Sequence, residues 1–366
     1  MRLTLIISSL SSGGAERVMS TMANYWAIKG WQINLLTFDN GSVPPFYNLD
    51  YRVKHLPLGI ASNSNNPLIA LWQNAKRLIV LRQAIRNTQP EMVISFMDKV
   101  NVLTLLATRG LRVPVVISER SVPGVHQIGY SWEWLRKLTY PLAAKLVVQT
   151  RQVKTHFAPK IQERTTIIQN MVFLTPSDEI STLHSLSKPT VMGMGRFTEE
   201  KGFDLLIQAF AKVKDRYPKW TLTILGEGPL RQELENLCSD LGLTNRVYFL
   251  GRVKNPYRFL RQADIFILPS RFEGFPNALC EAMASGLPVI SFDCPSGPRE
   301  IIRDGVDGLL VPPEDINTLA ETMEQLMKNE SERKRLGTNA LEITERLSLE
   351  RIMQEWEQLL KFLIVK

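Results

Sequence analysis

The first forty residues pair two short apolar runs with one amphipathic stretch. Residues 3–8 are largely apolar, Gly13-Gly14 interrupts them, and Val18, Met22 and Trp26 recur at helical spacing. Lys29-Gly30 closes that stretch, and a second apolar run covers 33–38. The order predicted is strand, glycine turn, helix, strand. Further buried strands are predicted at 92–96, 113–118, 146–150 and 166–169. Around Asn170 the pattern stops, and 177–188 is a polar, linker-like stretch.

A second series then starts. Strand-like runs at 191–194, 221–225, 247–250, 265–268 and 288–291 alternate with helical segments at 203–217, 230–241, 256–262 and 278–285. Alternation at this spacing implies βαβ units, hence an α/β protein with parallel sheets and helices on both faces. Two such sheets in tandem predict a cleft lined by the carboxyl ends of the strands. The remainder, 316–366, reads as helix throughout. The expected division is 1–172 and 173–347, with a helix at about 348–366 returning to the first domain.

Composition leaves this picture intact. Hydrophobic residues make up 44% and charged residues 22%, which excludes a disordered or fibrous chain. Cys238, Cys280 and Cys294 are far apart and lack metal-ligand spacing. They argue against a disulfide framework or structural zinc and suit a reducing compartment. The apolar start is too short for a signal peptide, and no run approaches the roughly 20 residues of a spanning helix. A soluble, cytoplasmic protein is expected.

Charge adds an asymmetry. Residues 1–172 hold 20 basic and 8 acidic side chains, a net +12, whereas 173–366 carry a net −4. The first half is therefore expected to favour anionic surfaces. The helical stretch 68–87 sharpens that expectation. Leu71, Leu78, Leu81 and Ile85 share one face, with Lys76, Arg77, Arg82 and Arg86 beside it and Trp72 and Ile79 interleaved. Such a mixture suits an anionic membrane or a lipid diphosphate, and equally a core helix with a wet basic face. Trp132, Trp134, Arg136 and Lys137 form a second cluster, whose tryptophans read as core.

Two constellations carry chemistry. Gly193-x-Gly195-Arg196, followed by Glu199-Glu200-Lys201-Gly202, leaves a strand and opens a helix. Backbone N–H groups and the helix dipole favour an anion there, and Arg196 and Lys201 suit a departing diphosphate. A solvated basic loop would look the same. The second runs Pro269-Ser270-Arg271-Phe272-Glu273-Gly274-Phe275-Pro276-Asn277-Ala278-Leu279-Cys280-Glu281. Glu273 falls on its loop, where a carboxylate accepts sugar hydroxyls, and Glu281 on the helix, where one accepts a ribose diol. Gly274 permits close approach, and the N–H groups of Phe275, Asn277 and Ala278 are expected to face a ligand.

Taken in order, these motifs resemble the retaining, nucleotide-sugar-dependent glycosyltransferases of family 4, which have the two-domain GT-B fold. The likeness runs from Ser11-Ser12-Gly13-Gly14-Ala15-Glu16-Arg17 to Asp304-Gly305-Val306-Asp307-Gly308-Leu309-Leu310-Val311-Pro312. Cys294-Pro295-Ser296-Gly297-Pro298-Arg299-Glu300-Ile301-Ile302 is similar to members that extend polyprenyl-diphosphate-linked glycans, N-acetylgalactosamine transferases among them. The resemblance implies that Arg196 and Lys201 hold the donor diphosphate, Glu281 its ribose and Glu273 the transferred sugar. It places Gly195, Gly274, Phe275, Pro276, Asn277 and Ala278 around the donor, and Gly251-Arg252-Val253, with Asn255 beside them, at the base. Gly13 and Gly14 are implied to approach donor phosphates or acceptor from the first domain. The chain contains no Asp-x-Asp, so cations of the protein, and not a metal, are expected to neutralise the diphosphate; no cofactor is expected.

One departure stands out. Relatives carry a histidine where the strand ending at Ser118 meets the cleft, and here the sequence is Ser118-Glu119-Arg120-Ser121. Glu119, Arg120 and His126 are the candidates for that sugar or acceptor contact. The implied activity is transfer of N-acetylgalactosamine, galactose or N-acetylglucosamine from a UDP-sugar to a lipid-diphosphate-linked saccharide, on the cytoplasmic face of the plasma membrane. Two other readings fit the paired sheets: a nucleotide-sugar epimerase, and a non-catalytic UDP-sugar-binding adaptor. No nucleic-acid motif accompanies the basic charge.

Overall fold

The computed structural model of the chain describes residues 1–61, 67–125, 128–172, 186–187, 189–253 and 255–364, and for 67–71 the backbone alone. His126, the side chain of Leu71 and nearly all of the linker-like stretch 177–188 therefore lie outside what is described.

The first series runs β1 (Arg2–Ile7), α1 (Gly14–Ile28), β2 (Gln32–Thr37), β3 (Lys54–Pro57), α2 (Pro67–Thr88), β4 (Met92–Phe96), α3 (Asp98–Ala107) and β5 (Val115–Ser118). It continues α4 (Tyr130–Thr139), β6 (Lys145–Val148), α5 (Arg151–Thr155), α6 (Pro159–Gln162) and β7 (Thr165–Ile167). The second runs β8 (Thr190–Met194), α7 (Phe203–Val213), β9 (Thr221–Leu225), α8 (Arg231–Asp240), β10 (Val247–Gly251), α9 (Tyr257–Leu260) and β11 (Ile265–Leu268). After it come α10 (Asn277–Ala284), β12 (Val289–Phe292), α11 (Pro298–Ile301), β13 (Leu309–Val311), α12 (Ile316–Lys328), α13 (Glu330–Ala340), α14 (Ile343–Arg346) and α15 (Leu349–Ile364).

Two compact units result: Met1–Asn170 with Ile352–Lys366, and Met171–Arg351. The first holds a seven-stranded sheet in the order β3-β2-β1-β4-β5-β6-β7 and the second a six-stranded sheet, β10-β9-β8-β11-β12-β13. The strand pairings are parallel in both. Each sheet reverses its winding direction once, between β1 and β4 and between β8 and β11, which is where doubly wound folds take ligands.

Burial explains the strands. Leu3, Leu5, Ile6 and Ile7 of β1 are fully buried, as a strand covered on both faces requires. Helix α7 buries Phe203, Leu206, Ile207, Phe210 and Val213, a spacing that turns one stripe to the sheet. In the first unit Trp356 of α15 packs on Phe96, ring centroids 6.3 Å apart, and Glu357 pairs with Lys29 at 2.8 Å.

Two strands were not expected, and the C-terminal helical stretch is subdivided. Strand β3 is an edge strand of sequence KHLP, whose polar residues and terminal proline hid it. Strand β13 spans only three residues. The stretch 316–366 is helical over most of its described length, as expected, and is divided into α12–α15: Asn329 adopts an extended backbone and accepts from the Glu332 N–H at 3.0 Å, capping α13 and ending α12. Among the described residues no helix is long and apolar enough to cross a membrane.

Candidate functional site

In the second unit the carboxyl ends of β8 and β11 carry the two sequence constellations. After β8 the chain makes a tight turn at 199–201 and enters α7 through Gly202, whose φ is +63°. A Cβ at Gly202 would lie 2.0 Å from the Pro269 carbonyl oxygen, so only glycine lets this turn touch the loop after β11. That contact aligns the neighbours. Lys201 Nζ lies 2.7 Å from Glu273 Oε1, and Ser270 Oγ donates to the same oxygen at 2.7 Å. Glu273 is buried, whereas Arg196 is exposed at the end of β8.

Arg271 was not singled out by motif reasoning. Its Nη1 and Nη2 donate to the two carboxylate oxygens of Asp204 at 2.9 and 2.7 Å, and Nη1 also reaches the Glu199 carbonyl at 2.8 Å. Its Nε donates to Glu314 at 3.0 Å, and its backbone N–H to the Glu200 carbonyl at 2.9 Å. Hydrogen bonding to Asp204 holds the guanidinium pKa well above the usual arginine range. Asp204 lies 67 positions earlier, and no local spacing signals such a pair.

Helix α10 carries Glu281, buried to 8% exposure one turn from its start. The backbone expectation needs one correction. The Asn277 N–H does not face outward; it closes a turn onto the Phe275 carbonyl at 3.0 Å. Behind the loop, Gly297 (φ +101°) leaves no room for a Cβ, which would sit 2.6 Å from Pro276 Cδ and 3.6 Å from Glu273 Cβ. Cys294 is buried nearby, and desolvation, with the Glu273 charge, pushes its thiol up to about 12. The three cysteines are free and buried. Gly251, at φ +74°, ends β10 ahead of exposed Arg252 and half-buried Val253. Among the described residues no cluster of three or more His, Cys, Asp or Glu has metal-holding geometry.

In the first unit Gly13 caps α1 and Gly14 is its first residue. A Cβ on Gly13 would meet the Glu16 carboxylate at 2.0 Å, so that side chain folds over the helix start. Glu119 departs from its expected role. It is fully buried: Tyr140 Oη donates to its Oε2 at 2.7 Å and Ser121 Oγ to its Oε1 at 2.8 Å. Arg136 Nη1 lies 3.8 Å away. Burial, and then the Asp98 charge, raises the Glu119 carboxyl pKa. A carboxylate enclosed in this way is placed to order the β5 end, not to meet a sugar. Arg120 bonds Asn170 and stacks on Phe96 at 3.7 Å, and burial lowers its pKa to about 9.

The basic helix α2 is also divided. Leu81 and Ile85 are core. Arg82 donates to the Ala107 and Arg109 carbonyls, both at 2.7 Å, satisfying orphan carbonyls at the α3 terminus. Arg77 donates to the Ile60 carbonyl at 3.0 Å and to Asn74 at 2.7 Å. These two are therefore committed to the fold, while Lys76 and Arg86 remain exposed beside Trp72 and Ile79, 65% and 70% exposed. On α4 the reading of both tryptophans as core fails for Trp134. It is 57% exposed, in line with Tyr130 and Leu138, because Arg136 and Thr139 take the inward face.

Comparison with known proteins bears on this geometry. Residues 12–175 match Glycosyltransferase Family 4, and residues 177–342 match Glycosyl transferases group 1. The chain is 31% identical over 366 residues to a Campylobacter jejuni GalNAc-alpha-(1->4)-GalNAc-alpha-(1->3)-diNAcBac-PP-undecaprenol alpha-1,4-N-acetyl-D-galactosaminyltransferase, covering 98% of each chain. It is 27% identical to a second Campylobacter jejuni protein, an N-acetylgalactosamine-N,N'-diacetylbacillosaminyl-diphospho-undecaprenol 4-alpha-N-acetylgalactosaminyltransferase, covering 91% of this chain and 92% of that one. Among solved structures, Anabaena HepE in complex with UDP superposes with a TM-score of 0.79 at 21% identity, over 99% of this chain and 100% of that one. The two parallel-sheet units are those of the GT-B fold.

Proposed function

The chain belongs to the glycosyltransferases of family 4 and group 1, and we propose that it moves a sugar from a UDP-sugar to a lipid-diphosphate-linked saccharide with retention at the anomeric carbon. One observation carries this reading: Lys201 Nζ and Glu273 Oε1 meet at 2.7 Å where β8 and β11 end. An ammonium has three donors, and Glu273 takes one, so two remain for diphosphate oxygens. Among the described residues both partners of Glu273 fall on Oε1, which leaves Oε2 to accept from a sugar hydroxyl. Arg196 adds a second cation, and Glu281 takes the ribose.

The step follows from these positions. The bond between the anomeric carbon and the β-phosphate oxygen breaks, and Lys201 and Arg196 stabilise the charge that develops on UDP. The acceptor oxygen bonds to the same face of the anomeric carbon, and its proton passes to the departing phosphate oxygen. Neutralisation by side chains removes the need for a metal ion. The acceptor class is supported by the two Campylobacter relatives, whose substrates are undecaprenyl-linked. N-acetylgalactosamine leads the sugars on the same ground.

We assign the first unit to the acceptor and to an anionic membrane surface at the cytoplasmic face. Support comes from its net +12 over 1–172 and from exposed Trp72, Ile79, Tyr130 and Trp134 interleaved with Lys76, Arg86 and Lys137. The test incubates the protein with a panel of nucleotide sugars and polyprenyl-diphosphate-linked glycans, with and without chelator, and follows acceptor mass and anomeric configuration. Gain of one sugar from a UDP donor, with retention and no metal requirement, is expected. A modified sugar released without acceptor would make the protein an epimerase; UDP binding with no turnover would make it an adaptor.

A further inference from the structure

We propose that Arg271 is a positioning residue that holds the 199–204 turn and the 270–273 loop in the register that brings Lys201 and Glu273 together; this rests on the transferase reading above. Its guanidinium reaches both carboxylate oxygens of Asp204 and the Glu199 carbonyl, and its Nε reaches Glu314, in the segment after β13. Its own N–H bonds the Glu200 carbonyl at 2.9 Å. One side chain thus ties three segments of the second unit.

Four of the five guanidinium N–H donors are taken by these bonds, so the part proposed for Arg271 is to act on the donor through its neighbours. Glu199 and Glu200 immediately precede Lys201, and Glu273 follows Arg271 by two residues. Fixing the two backbones against each other therefore fixes the roots of both reactive side chains. The Lys201–Glu273 ion pair does not do this alone, because a lysine stem spans a wide range of separations. Gly202 against Pro269 sets the closest approach of the same seam, and Arg271 sets its lateral register. A planar fork suits that task, whereas a lysine in its place would keep the charge and lose the paired bonds.

The experiment compares wild type with Arg271→Met, Arg271→Lys, Asp204→Asn, Lys201→Met and the double variant Lys201→Met/Arg271→Met. Arg271→Met is expected to lower kcat about 10- to 100-fold, as small misplacements do, with donor KM and UDP Kd within about threefold of wild type. Arg271→Lys should restore little of it, since the fork and not the charge is required. The double variant should be no slower than Lys201→Met, because both act at one point. Near-normal kcat in Arg271→Met, full rescue by lysine, or losses that multiply in the double variant would each overturn the proposal.

A second measurement needs no activity. Amide hydrogen exchange on the unliganded protein should quicken in 199–204 and 270–273 together, in both Arg271→Met and Asp204→Asn. A change confined to the substituted residue's own segment would overturn the proposal. Should Arg271→Met fold poorly, Asp204→Asn carries the same comparison. A wild-type protein that transfers no sugar would defeat the transferase reading, and exchange would still decide whether the two segments are coupled.

Discussion

Lys201 and Glu273 meet at 2.7 Å although 72 residues separate them, each arriving from the carboxyl end of a different strand of one sheet. Under the proposed transfer, the pair would set a cation for the leaving diphosphate beside a carboxylate for the sugar. Sharing one carboxylate oxygen between Lys201 and Ser270 keeps both the ammonium and Glu273 oriented.

The division of labour between the two glutamates is measurable. Glu273→Gln should reduce kcat about 100-fold or more while UDP affinity stays within about threefold, because its carboxylate is assigned to the sugar. Glu281→Ala should instead weaken UDP by about 1.5–3 kcal/mol through loss of the ribose contact. Calorimetry with free UDP separates the two, and equal losses of UDP affinity would refute the assignment.

Glu119 predicts a dependence of stability on pH. Its folded-state carboxyl pKa is raised by burial and by Asp98. Between the unfolded value and the raised folded value, the native state holds the proton more tightly than the unfolded chain. Stability therefore falls as pH rises through that window, by about 1.4 kcal/mol per unit. Glu119→Gln does not titrate and keeps an acceptor for Tyr140. Its Tm should gain on wild type as pH is raised from about 4 to 8; parallel profiles would show that Glu119 does not titrate in this way.

Gly202→Ala should unfold at lower temperature. A side chain at φ +63° costs about 1–2 kcal/mol, and the Pro269 carbonyl has no flexible tail with which to yield. A Tm within error of wild type would mean the turn relaxes freely.

The proposed membrane attachment can be tested on the exposed cations separately from those committed to the fold. Neutralising Lys76, Arg86 and Lys137 should weaken co-sedimentation with phosphatidylglycerol vesicles by about 1 kcal/mol per residue, and added salt should mimic the change. Trp134→Ser should weaken it further. Arg82→Ala should lower Tm and leave vesicle binding alone, since its guanidinium caps α3. Unchanged sedimentation of the triple variant would remove the membrane assignment and leave the donor site untouched.

How much of this was legible in the sequence depended on the range of the interaction. The strands of both sheets showed as apolar runs because a doubly covered strand has no polar face, as β1 and β11 illustrate. Strands β3 and β13 were missed because an edge strand of four residues and a strand of three carry almost no periodicity. Glu273 and Lys201 were visible in motifs that also contain their turns. Arg271 lay in plain view between them, yet its partner Asp204 looked like an ordinary first-turn acid. The burial of Glu119 depends on Tyr140 and Arg136, which come from the following helix and turn, and Trp134 faces outward because Arg136 turns in.

The most direct test of the donor assignment is the turnover of Lys201→Met with a UDP-sugar and a polyprenyl-diphosphate-linked acceptor. Methionine keeps most of the stem and removes the charge. A loss of about 100- to 1000-fold in kcat, with Tm within a few degrees of wild type, is the predicted result. Turnover near the wild-type rate would contradict the placement of the diphosphate at Lys201 and Arg196, and with it the account of how this site works.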